Sequence, residues 1–233
     1  MRFWTMLALL LALAATAVPA SAQDRLFHVT RMEGEPFAGY EANIRLVFGE
    51  VYRADVLASV IVKPSFSPEI AIGLRAKGNG YELFALTPKE MIWTYSTIAS
   101  MERGSQHVMN DKGVDITARE IATLKATVPA RPQDLPLQRC AIALQAEPAR
   151  AILAVWGKML GEVRADDQPG FGNDGTSYIF SVPGAEAEVW EPEKSSRVGL
   201  FVTLTEAMYA YCRSGGDGRL RRVSELAASL AKP

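Results

Sequence analysis

The stretch EIAIGLRAKGNGYELFAL, from Glu69 to Leu86, decides the fold class. Two runs rich in apolar residues, Glu69 to Ala76 and Tyr81 to Leu86, flank Lys77, Gly78, Asn79 and Gly80. Glycine and asparagine tolerate the positive φ of tight turns, so the stretch predicts an antiparallel hairpin. Upstream, Tyr40, Ile44, Val47, Phe48 and Val51 recur at helical spacing, and Asp55 to Lys63 is rich in Val and Ile, which gives a helix followed by a strand. Pro64 and Pro68 bracket Ser65, Phe66 and Ser67 as a turn, because proline removes a ladder donor and restricts the residue before it.

Downstream of the hairpin, Met91 to Tyr95 reads as a further strand and Met101 to Gly113 as a polar loop. Ile116 to Val128 fits neither periodicity cleanly, with strand the preferred assignment. Ala130 to Pro136 is a surface linker and Cys140 to Leu144 a short strand. The strongest helix starts at Glu147 and Pro148, where proline costs no hydrogen bond, and carries the stripe Ile152, Leu153, Trp156, Met159, Leu160 and Val163. Gly157 and Gly161 in that helix suggest close approach of another element, since each weakens a helix by about 1 kcal/mol relative to alanine.

Asp166 to Gly175 is a loop, Thr176 to Val182 a strand, and Pro183 with Gly184 a turn that lets Glu188 to Trp190 pair back. Ser195 or Ser196 caps a second helix bearing Leu200, Phe201, Leu204, Met208, Tyr211 and Cys212. The resulting expectation is an α+β fold, a mainly antiparallel sheet with two or three amphipathic helices packed on one face. Its single domain spans 23–213, and residues 214–233 form a flexible glycine-rich link and a short amphipathic helix that docks weakly.

The first residues have the three-part pattern of a secretory signal. Arg2 gives a positive start, Thr5 to Val18 is apolar, and Ala20, Ser21 and Ala22 make a small-residue cleavage site, so residues 1–22 are expected to be removed after Ala22. The apolar run falls short of the roughly 20 residues that span a bilayer, and no transmembrane segment is expected after cleavage. The expected location is the bacterial periplasm or the exterior. There, an even cysteine count favours a disulfide between Cys140 and Cys212, worth about 4 kcal/mol in the chain-entropy picture. Separately buried thiols are the alternative.

Charge narrows the partners. The formal net charge is −1, and loss of Arg2 takes it to −2, which argues against a nucleic-acid partner. His28 and His107 stand far apart outside any metal-ligand spacing, and the acidic run Asp166, Asp167, Asn173 and Asp174 lacks the calcium-loop pattern. Neither a metal nor a cofactor is therefore assigned. Ser105 beside His107 is a weak nucleophile pair, and no catalytic residue is assigned. The carboxylate pairs Glu186 with Glu188 and Glu191 with Glu193 read as solvated. Trp93, Tyr95, Phe171, Tyr178 and Trp190 are candidates to line a cleft, with core packing the favoured fate for most.

The sequence Pro64-Ser65-Phe66-Ser67-Pro68-Glu69, the hairpin end Gly80 to Leu83, then Trp156, Met159 and Leu160, Asp174 to Phe180, Trp190, Pro192, Tyr211 and Cys212 together resemble a group of exported proteobacterial proteins of unknown function. The resemblance covers most of 40–212 and brings no activity with it. It implies that Asp174 to Tyr178 and Trp190 form one structural unit, a hairpin between two helices. Asp174, Tyr178 and Trp190 are the binding residues expected. The function expected first is an exported binding or protein-interaction module for a protein or small-molecule ligand. A metal-independent cell-envelope hydrolase and a structural envelope component stand as alternatives.

Overall fold

The structure, a computed structural model, describes residues 25–29, 37–104, 116–163 and 174–232. The expected signal segment, Ser105, His107, Asp166, Asp167, Phe171 and Asn173 lie outside the described residues. The α+β expectation holds: the strands β1 (Val56–Pro64), β2 (Ile70–Lys77), β3 (Gly80–Pro88), β4 (Leu137–Leu144), β5 (Thr176–Val182) and β6 (Ala185–Trp190) form one antiparallel sheet. Its order is β4-β3-β2-β1-β5-β6. Lys77 pairs with Gly80 across a two-residue turn whose first position, Gly78, has φ 58°, a backbone region glycine enters at no steric cost.

Helices cover both faces, not one. On the first face lie α4 (Ala146–Gly161), α5 (Arg197–Ser214) and α6 (Asp217–Ala231), packed on Val60, Ile72, Leu74, Leu83, Ala85 and Phe180. On the second lie α1 (Phe37–Val47), α2 (Trp93–Arg103) and α3 (Ile116–Thr127), with Ile61, Ala71, Phe84 and Leu86 in their core. The sequence signal for this was the unbroken apolar runs of β1 to β3. A strand with one wet face alternates, whereas one buried on both faces does not.

Several local expectations are corrected. Met91 to Tyr95 is not a strand but leads into α2, and Ile116 to Val128 is mainly helix α3, whose Ile121 and Leu124 pack on the core while the rest of its described side chains stay largely exposed. The Gly-rich link shrinks to Gly215 and Gly216, with φ 60° and 93°, and α6 begins at Asp217. This last helix is integral to the core, because Val223, Leu226, Ala227 and Leu230 are buried. Lys158 of α4 also donates to the terminal carbonyls of Ala231 at 3.0 Å and Lys232 at 2.8 Å. Among the described residues nothing outside their own helix lies within 4 Å of where a Cβ would sit at Gly157 or Gly161, so none of the described elements approaches them closely. Close approach falls instead at Gly199, where a Cβ would lie 2.0 Å from the Glu193 carbonyl oxygen.

Cys140 of β4 and Cys212 of α5 form a disulfide with Cα atoms 5.8 Å apart, as expected. Ser196 caps α5, its hydroxyl accepting from the Gly199 N–H at 2.9 Å. Among the described residues no helix is long and apolar enough to cross a membrane. A disulfide in such a chain fits an exported protein.

Candidate functional site

Strand register decides what the expected binding residues can do together. Tyr178 pairs with Val189 while its neighbour Ser177 pairs with Trp190, so Tyr178 and Trp190 project from opposite faces of the β5–β6 hairpin. Tyr178 turns toward the α4–α5 layer and stacks on Phe180, with ring centroids 6.4 Å apart. Burial, then the carboxylates of Glu206 and Glu191, push its phenol up to about 12, so it stays protonated at neutral pH. Asp174 is exposed at the mouth of β5, and Trp190 is half-buried on the other side. The hairpin does lie between α4 and α5. Asp174 and Trp190 share one end of it, and Tyr178 is not turned toward them.

Around that end the structure assembles a corner. Gly175, next to Asp174, has φ 135° and lies so close to Trp190 that a Cβ there would sit 2.8 Å from the indole Nε1. Glu191 is the one described non-glycine residue at positive φ, 41°. Its carboxylate accepts from the Thr176 N–H, and its own N–H donates to the Thr176 carbonyl at 3.1 Å. Such a conformation costs of order 1–3 kcal/mol and persists only where neighbours over-determine it.

The turn between β1 and β2 packs against this corner. The Ser65 N–H donates to the Gly175 carbonyl at 2.9 Å, and the Ser65 hydroxyl donates to the same oxygen while accepting from the Gly175 N–H at 3.0 Å. At the other end of the turn, Glu69 is 1% exposed. Its carboxylate accepts from the Tyr40 hydroxyl at 2.8 Å, the Ile92 N–H at 2.8 Å and the Trp93 N–H at 3.1 Å, and so caps α2. Burial, then Glu69, raise the Tyr40 pKa far above the ordinary phenol value, which keeps that donor in place. With both ends tied and prolines at 64 and 68, the turn holds Phe66 outward at 80% exposure. Phe66 was not among the expected site residues. Its signal was an aromatic side chain in a Pro-bounded turn, where no strand or helix can turn it inward.

The remaining polar clusters have structural occupations. Glu82 sits between Arg75 and Lys77, and Glu50 accepts from Arg75 at 2.9 Å and Arg139 at 2.8 Å. Burial opposes ionisation of Glu82, but hydrogen bonds and charge from Lys77 and Arg75 hold its carboxyl below the usual range. Both guanidiniums lie over the Phe84 ring, at 5.1 and 5.9 Å from its centroid. Glu188, expected to be solvated, is instead buried at 4% exposure beneath the bridge to Phe27, which pairs with it in both directions at 2.8 Å. Glu191 and Glu193 are exposed, and His28 is exposed near the start of the described chain. Among the described residues there is no group of three or more His, Cys, Asp or Glu side chains placed to hold a metal ion.

The fold and this corner define a disulfide-tied α+β sheet protein that presents one exposed aromatic on a fixed turn. The chain matches no protein-family model, no curated protein and no solved structure.

Proposed function

We propose that this chain is an exported binding or protein-interaction module of the bacterial envelope, akin to the proteobacterial group that its motifs resemble. The observation that carries the reading is Phe66. A large apolar side chain left 80% exposed gains almost nothing from folding, yet the turn that displays it is tied down at both ends. Holding an aromatic in its bound position before contact reduces the entropy lost on association, and aromatics of this kind are the usual anchors of interfaces. Asp174 and Glu191 lend the flank negative charge, while nearby Lys63 is paired with Glu41 at 2.8 Å. The partner is therefore a protein with an apolar pocket edged by Lys or Arg, and export brings the module to it after cleavage at Ala22.

A photo-crosslinking phenylalanine analogue at position 66, expressed in the native host, tests this. A discrete adduct is expected at 66 and none with the analogue at exposed Arg221 on α6. Phe66→Ser should abolish a complex of that mass without lowering the melting temperature. Equal labelling at both positions, or none at 66, removes the basis of the reading.

A further inference from the structure

The two edges of the sheet are finished differently. At the β6 edge, Phe27 exchanges two backbone hydrogen bonds with Glu188. At the β4 edge, the inner side is bonded to β3 from Leu144 opposite Tyr81 to Leu137 opposite Pro88, while no hydrogen bond among the described residues reaches the outer backbone. Open edges in soluble proteins are normally blunted by lysine, proline, a bulge or a cover. β4 has no lysine or proline along its eight residues and no bulge in its register with β3, and no backbone hydrogen bond from the described residues covers its outer side. Its one charge, Arg139, is drawn back over the sheet to Glu50 and the Phe84 ring. Leu137, Ala141 and Ala143 are exposed beside it. The disulfide through Cys140 fixes the strand to α5 and so presents this edge ready to pair.

We infer that the β4 edge pairs antiparallel with the β4 edge of a second copy of this chain, around a twofold axis at Cys140, joining two sheets into one. Side-chain complementarity selects this occupant. In the symmetric register Arg139 faces Ala141, Gln138 faces Ile142 and Leu137 faces Ala143, so no like charges meet and small residues oppose long ones. Because antiparallel partners share a face, the helical layers of both copies continue on their own sides. Two strands of this length bury less than a typical permanent interface, so the association is concentration-dependent. The inference stands apart from the Phe66 reading, and Phe66→Ser should leave it untouched.

Sedimentation velocity on the purified, disulfide-intact chain across a wide concentration series tests it, with Ala141→Lys and Ala141→Glu compared. Ala141 is exposed, so both variants should fold with unchanged melting temperature. The unaltered chain should shift from monomer to dimer. Ala141→Lys, opposite Arg139 of the second copy, should stay monomeric, and Ala141→Glu should dimerise at lower concentration. A chain monomeric at every concentration, as expected if an extended peptide were the true occupant, overturns the inference. So does a dimer on which the two substitutions act alike.

Discussion

On one face of the sheet Trp156 meets Phe201 at 4.6 Å and Phe180 at 6.0 Å, edge to face, beneath three helices that also pack on one another. On the other face the tip of the Phe84 ring reaches over Gly73, where a Cβ would be 2.4 Å from it, under two arginines and a lighter helical cover. The first layer is closed by non-directional apolar burial; the one polar atom of the Trp156 indole is satisfied by the Ser59 carbonyl at 3.2 Å. The second is fastened at points: Glu69 to the start of α2, and Glu50 and Glu82 to Arg75, Lys77 and Arg139. Apolar layers are tolerant of pH, whereas point fastenings fail with a single protonation or substitution.

This contrast can be broken most decisively at the disulfide. Replacing Cys140 and Cys212 together by alanine should lower unfolding stability by about 2–4 kcal/mol in denaturant titrations. If α1 to α3 then melt with the α4–α6 layer in one transition, the two layers are a single cooperative unit. A smaller effect is expected from Glu69→Gln. The amide keeps the size of the carboxylate but turns a donor toward a backbone N–H, costing about 1–3 kcal/mol. Hydrogen exchange should show lost protection in α2 and α3 while α5 amides keep theirs; uniform loss would erase the distinction between layers. The smallest effect is the pH response of Glu82. Its folded pKa is lowered from 4.5, so its contribution is complete above that value and fades as pH falls through the folded pKa. Stability measured against pH should therefore lose a component below about 4.5 that Glu82→Gln lacks, and identical profiles would show that the ion-pair cluster does not fasten the second layer.

The same contrast explains what the sequence made legible. The β2–β3 hairpin was readable because Gly78 and its neighbours encode the turn locally. Helices α4 and α5 were readable from their apolar stripes and, for α5, from Ser196. α2 was not, because its first N–H groups are capped by Glu69, a residue 23 positions away from Ile92. α3 was not, because a helix that offers the core little besides Ile121 and Leu124 has almost no stripe to detect. At the candidate site, the sequence placed Asp174, Tyr178 and Trp190 in one hairpin, but pairing register, invisible in composition, turned Tyr178 to the face opposite Trp190.

The central strand β1 carries a consequence for the order of events in synthesis. One neighbour, β2, follows directly, whereas the other, β5, arrives only after β4 and α4, and the Ser65–Gly175 tie spans 110 residues. Contacts so distant along the chain must wait for loop closure and slow the search for the native state. The sheet therefore cannot be completed, nor the Phe66 turn fixed, until most of the polypeptide has been made. Cys212, made later still, can close on Cys140 only once every strand of the sheet has been synthesised.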